Sequence, residues 1–363
     1  MSRDAKAAPG REASPEGEER AIARIVEVET RLLERKVADE GLGVDGRPVP
    51  RSQHPKQHGA VRAEFVVRDD VPEHLRRGLF AEPGRRFPAW IRFSNAIQKD
   101  DRLGGGHGMA IKLMDVPGAR NPDGTEGTTH DLVLLDFPRF AVRDAIEVAR
   151  LQEARLGVAT ARFRLLSRLP MALFLVGRPR TASALFQMMR RVPTNPMAAT
   201  YWSTTPYKLG EGAAVKYVAR PVLDGPVIEA EESSPDQLRE AMARHLSMKP
   251  ARYDFLVQPQ LDPDAQPIED ASVEWDEERF PPVPVATIEI AANQPFGRWM
   301  DFCENLEFSP ARCRPDHEPL GGINRARRAT YLAISRLRHD RNRVPRVEPT
   351  PETDPERSPG PAA

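Results

Sequence analysis

From Ala60 to Phe137 the sequence keeps returning to the two-residue period of extended chain, broken only where Gly, Asp and Asn gather. The segments "AVRAEFVV" (60–67), "FPAWIRFSNA" (87–96), "GHGMAIKLMDV" (106–116) and "HDLVLLDF" (130–137) all follow this pattern. Successive side chains of a strand point to opposite faces, so such stretches are predicted as half-buried strands. A second group follows in "TYWSTTPYKL" (200–209), "AAVKYVARPV" (213–222), "RYDFLVQPQL" (252–261) and "VPVATIEIA" (283–291). Many short strands separated by turns predict a meandering antiparallel sheet or barrel.

The rest of the pattern is helical. "EERAIARIVEVETRLLERKVADEG" predicts a helix over Glu18–Glu40. Ile22, Ile25, Val26, Val28, Leu32, Leu33 and Val37 lie on its broad apolar face, and Gly41 is its stop. Residues 138–191 read as further helices, as do about 234–248 and 322–337. A loop containing "GRPVPRSQHPKQHG" links the first helix to the first strand. No linker-like stretch divides residues 20–340, which predicts one α+β domain with a strand-rich core and helices outside. Residues 1–19 and 341–363 carry hardly any large apolar side chain. They cannot bury enough surface to offset their ordering entropy and are expected to be disordered tails.

The 53 basic and 53 acidic residues balance, which argues against a general nucleic-acid binder. Cys303 and Cys313 are too few for a disulfide framework. The N-terminus has no apolar signal region, and the longest apolar run, "MALFLVG", is far too short to span a bilayer. A soluble, cytoplasmic protein is expected.

Five strings carry the chemistry. "RSQHPKQHGAVRAEFVV" is similar to the part of catalases that begins R-x-x-H-x-K and enters the first barrel strand. "FPAWIRFSNA" resembles their strand ending V-R-F-S, and "GHGMAIKL" their strand G-F-A-V-K-F. "HDLVLLDFPRFAVRDA" resembles W-D-L-V-G-N-N-T-P-x-F-F-I-R-D, with Pro138, Phe140 and Arg143–Asp144 in register. "RRATY" fits the R-x-x-x-Y of the haem ligand. Each string alone is weak, but all five occur in family order between about residues 50 and 340. The sequence therefore resembles the catalase superfamily. The resemblance implies a catalase-like antiparallel β-barrel with surrounding helices, and haem b with ferric iron as cofactor.

Carried over position by position, the resemblance makes Tyr331 the iron ligand and His54 the distal acid–base residue, with Ser94 bonded to its other ring nitrogen. Arg51 and Arg92 would hold the haem propionates, and Arg327 would complete that set on the proximal side. Phe140 would be a distal-pocket aromatic. The chemistry suits these residue types. A tyrosinate stabilises ferric iron. A phenol that ordinarily ionises near pH 10 is helped by Arg327, one helical turn away. A neutral imidazole can take and return a peroxide proton near pH 7, and guanidinium forks match carboxylates. On the residues alone, Tyr331 and Arg327 could be parts of an ordinary amphipathic helix and each arginine a surface one. His54 and His58, four apart, could also be metal ligands; Pro55, Gly59 and the absence of a nearby carboxylate weaken that reading.

The match fails at the family's distal asparagine, whose aligned position here is Leu135. Asp136 is one residue on, and strand alternation should point it the other way. The sequence also runs only a short way past the Tyr331 helix. It resembles the small catalase-related proteins of bacteria and the allene oxide synthase branch, which share the core. Three functions stay open. The first is a haem-dependent peroxidase or weak catalase acting on hydrogen peroxide or organic hydroperoxides, with a possible small-molecule electron donor. The second is an allene oxide synthase-like hydroperoxide isomerase or dehydratase. The third is a haem-binding sensor or storage protein with little turnover. An apolar distal pocket should favour a hydroperoxide with an apolar tail.

Overall fold

The computed structural model of the chain describes residues 9–43, 47–161, 167–229, 234–346 and 348–357. Of the stretches read above, residues 1–8, 347 and 358–363 of the end segments, 162–166 of the helical stretch and the first residue of the 46–59 loop lie outside the described residues.

The alternating segments do form strands: β1 (Lys56–Val67), β2 (Arg86–Asn95), β3 (His107–Leu113), a two-residue hairpin of β4 (Ala119–Arg120) and β5 (Glu126–Gly127), and β6 (His130–Leu135). After the helices come β7 (Tyr201–Trp202), β8 (Tyr207–Lys208), β9 (Ala214–Val222), β10 (Ala251–Pro259) and β11 (Val283–Ile290). Antiparallel pairing runs β10-β11-β1-β2-β3-β6-β7-β9, and β9 pairs back onto β10, closing a barrel of eight strands with β8 hanging from β9. The predicted 200–209 strand is split. Thr204 lies at φ +61, and the Ser203–Pro206 corner turns the chain between β7 and β8.

Alternation sorts each strand into an inner and an outer row. Val61, Ala63 and Phe65 of β1, Ile91 and Phe93 of β2, Met109 and Ile111 of β3, and Leu132 and Leu134 of β6 fill the barrel. Arg92 and Ser94 of β2, Gly108 and Ala110 of β3, and Val133 and Leu135 of β6 lie on the opposite row. They are register partners across the three strands, so their side chains share one outward face.

The helices cover that face. α1 (Glu18–Glu40), α2 (Ala145–Thr160), α3 (Leu169–Leu175), α4 (Pro179–Met189), α5 (Gln237–Met248), α6 (Met300–Asn305) and α7 (Gly322–Asn342) are the α-helices among the described residues. α1 has the predicted bounds. It packs Ala21 and Ile25 against Ala145 and Ala149 of α2 and Ala326 of α7. The Arg143–Asp144 pair of the family-like string starts α2: Asp144 accepts from the Glu147 N–H at 2.8 Å, and Glu147 accepts from the Arg143 N–H at 2.7 Å. This reciprocal cap ends the loop that carries Phe140. α6 had no clear sequence signal, and α7 runs five residues beyond its predicted end.

In the described parts of the end segments, expected above to be disordered tails, ion pairs reach the body of the fold. Apolar burial is indeed scarce there, but charge holds them. Glu12 and Glu18 pair with Arg325. Glu348 accepts from the buried Lys112 at 2.9 Å and pairs with Arg312 at 2.9 Å. No helix among the described residues is long and apolar enough to cross a membrane.

Candidate active site

The loop entering β1 carries Arg51 and His54. His54 sits at φ +57, a strained conformation for a residue with a β-carbon, and it is pinned from both sides. Its N–H donates to the Ala96 carbonyl at 2.8 Å, and its carbonyl accepts from Arg92 at 2.9 Å. The ring places Nδ1 3.0 Å from Ser94 Oγ. Gly108 passes directly beneath: a β-carbon there would lie 2.5 Å from His54 Cε1. Burial first, then the charges of Arg92, Arg327 and Arg51, push the His54 pKa down to about 3. The imidazole is therefore neutral at physiological pH.

Helix α7 forms the opposite wall. Arg327, Tyr331 and Arg338 recur at four- and seven-residue spacings and so share one helical face. Arg327 donates to Tyr331 Oη at 3.4 Å and to Thr205 Oγ1 and Asn324 Oδ1 at 3.3 Å. Burial opposes the Arg327 charge, but the phenols of Tyr331 and Tyr207 outweigh it and raise its pKa.

Three guanidiniums converge on one carboxylate at the end of this cleft. Glu304 of α6 pairs with Arg92 at 3.2 Å, Arg338 at 3.0 Å and Arg51 at 3.6 Å. Burial would raise the Glu304 pKa, yet these arginines hold it below the usual carboxylate range. Cation is in excess. Burial, with repulsion from Arg51, lowers Arg92 to about 10 and Arg338 to about 9. The buried Nε atoms of Arg51 and Arg92 have no hydrogen-bond partner.

Two adjoining cavities lie between the barrel face and α7, and both are lined by Gln53, His54, Val133, Leu134, Thr330 and Tyr331. The smaller, about 110 Å³, holds the arginines. The larger, about 700 Å³, is mainly apolar and continues under α2, α3 and α4 past Leu135, Phe140 and Leu175. One polar cluster interrupts its wall: Glu29 of α1 accepts from Gln53 at 2.9 Å and from Gln152, with Arg155 at 3.4 Å.

The structure thus brings His54, Ser94, Arg51, Arg92, Phe140, Arg327 and Tyr331 around one cleft. Arg327 donates to Tyr331, Thr205 and Asn324, and Arg338 stands with Arg51 and Arg92 around Glu304. Seven residues after Tyr331 is two helical turns, so that signal was available in the sequence. Leu135 does line the cavity. Asp136 turns away, its carboxylate accepting from the His107 N–H at 2.7 Å and lying 2.8 Å from His107 Nδ1. His58 is separate from His54, with Nε2 2.7 Å from Asn95 Oδ1. Gly108 and Glu304 were not anticipated. Glu29 could have been, as a carboxylate four residues from both Ile25 and Leu33 on an otherwise apolar stripe.

Comparison with solved structures aligns the chain with a fungal catalase (TM-score 0.63, 18% identity, 80% of this chain and 59% of that one). The fold is the catalase fold. Catalase A from Saccharomyces cerevisiae (TM-score 0.61, 20% identity) matches over 80% of this chain and 61% of its own. A bacterial catalase (TM-score 0.61, 19% identity) matches over 94% and 64%. The chain spans about three fifths of the length of these catalases. No family model matches the sequence, and no curated protein does.

Proposed function

We propose that this chain is a haem-dependent peroxidase or weak catalase, acting best on organic hydroperoxides with an apolar tail. The observation that carries the reading is the pairing of a neutral imidazole and an arginine-backed phenol on facing walls of one cleft.

The residues present fit haem. Arg51 and Arg92 keep unsatisfied buried N–H groups, and with Arg338 they outnumber the single carboxylate among them; a ligand carrying carboxylates supplies what is missing. Tyr331 is the candidate iron ligand, and Arg327 donates a hydrogen bond to its phenol oxygen. When bound, haem supplies the redox chemistry of peroxide cleavage.

The chain's own part is to position the substrate and move its proton. His54, neutral and oriented by Ser94, accepts the proton from one peroxide oxygen and returns it to the other. No partner among the described residues takes its Nε2, which leaves that atom for the substrate. Leu135 offers no hydrogen bond where the aligned catalase string has asparagine, so a small polar peroxide is held less well. Leu135, Phe140 and Leu175 suit an alkyl chain. The same apolar wall also suits the isomerase reading, in which no electron donor need enter.

An absorbance scan of the protein supplied with hemin tests the reading. A Soret band is expected, reshaped or lost in Tyr331→Phe and kept in His54→Ala with most peroxide turnover gone. A chain that stays colourless overturns it. Product analysis with a fatty-acid hydroperoxide then separates the enzymes. Dye oxidation means the peroxidase, and an epoxide or ketol formed without a donor means the isomerase.

A further inference from the structure

The helical hairpin of α3 and α4 has two apolar sides. Phe174, Thr181 and Ala184 are buried, and Leu175, Leu185 and Met188 line the large cavity. The outer side is apolar as well. Leu169, Leu173, Val176, Phe186, Met189 and Val192 are between 43% and 71% exposed, and they are half of the twelve large apolar side chains exposed among the described residues. A soluble surface seldom concentrates such residues without a partner.

The charge of this region is equally uneven. The whole chain is neutral, yet from Ala154 to Gly210 the sequence contains no Asp or Glu. Arg168, Arg180, Arg190 and Arg191 are exposed on the hairpin or at its end, and among the described residues none of them pairs with a carboxylate. Arg178, between the two helices, is paired with Glu147 of α2; the exposed apolar row flanked by the other arginines is what a helix lying in the interface of an anionic bilayer requires, where the apolar groups enter the acyl boundary and the cations meet lipid phosphates. A protein partner would more commonly be met by charges of both signs.

We propose that the α3–α4 hairpin docks this protein on anionic membrane surfaces. Phe186 and Met189 belong both to the exposed row and to the cavity wall, so the docked face is continuous with the cavity. An apolar substrate could then pass from the bilayer toward His54 without crossing water; that route rests on the hydroperoxide reading, whereas the docking does not.

The test is co-sedimentation of the purified full chain with vesicles of equal phosphatidylcholine and phosphatidylglycerol, against vesicles of phosphatidylcholine alone. Pelleting with the anionic vesicles, weakened by salt, is expected. Arg168→Gln and Arg180→Gln should each weaken it by about fivefold, and Leu173→Glu together with Val176→Glu should abolish it. None of these four residues lines the cavity, and circular dichroism checks that each variant folds. Equal binding to both vesicle types, no binding at all, or hairpin variants that change the oligomeric state and not the pelleting would overturn the proposal. The measurement needs no haem, so it stands apart from failure of the catalytic reading.

Discussion

At Gly108 the backbone of β3 runs so close beneath His54 that no side chain can be added without moving the imidazole. Gly108→Ala should therefore leave the barrel and the Soret band in place and lower peroxide turnover about a hundredfold, since a displacement of that size ruins proton-transfer alignment. Unchanged steady-state kinetics would show that the ring has room to shift. Leu135 sits on the neighbouring strand, opposite Gly108 in the register. Leu135→Asn restores an amide on the face that carries Ser94, and it should raise the rate with hydrogen peroxide relative to cumene hydroperoxide, read as the ratio of the two kcat/KM values. The string match had marked Leu135 as a departure and alternation had turned Asp136 away from the cleft, and the strand carries both features. Gly108 could not be read in this way, because a glycine in a strand does not announce which ring lies above it.

Helix α7 sets Arg327, Tyr331 and Arg338 on one face, and its spacing gives the two arginines different partners. Arg327, one turn before Tyr331, serves the phenol. Arg338, two turns after it, joins the arginine cluster around Glu304. Arg338→Leu should thus weaken hemin binding by about tenfold or more, the loss of a charge-assisted hydrogen bond, with little change in the spectrum of the fraction that does bind. Arg327→Leu should alter that spectrum instead. Hemin titration followed by absorbance separates the two effects. Glu304→Gln should tighten hemin binding, because it removes the one carboxylate that competes for Arg51, Arg92 and Arg338. Helices this periodic were legible in the sequence: α1 has its predicted bounds and α7 its predicted start. α6, which supplies Glu304, is a single short turn fixed by tertiary packing, and no local pattern foretells it.

At the scale of the molecule, the barrel and its helical cover keep several histidines out of water. His54 and His317 are depressed to about 3, and His58 and His130 well below their ordinary value, with burial the leading cause in each. In the unfolded chain these rings protonate near pH 6.5. As pH falls below that point the unfolded state binds protons the folded state refuses, so stability present at neutral pH is lost toward pH 3. Glu307, held down to about 2 by Arg312 and Arg346 against its own burial, adds a further loss below about pH 4.5. Calorimetry should therefore find a melting temperature that drops steadily between pH 7 and pH 5; a flat profile would refute the argument. The antiparallel barrel was legible because period-two segments persisted along most of the chain. The anchoring of the end segments was not, because it depends on ion pairs such as Lys112 with Glu348, whose partners are far apart in sequence. The same remoteness governs biosynthesis. One wall of the cleft is translated among the first strands and the other with α7, so a nascent polypeptide cannot complete the cleft until α7 has emerged and folded back onto the barrel.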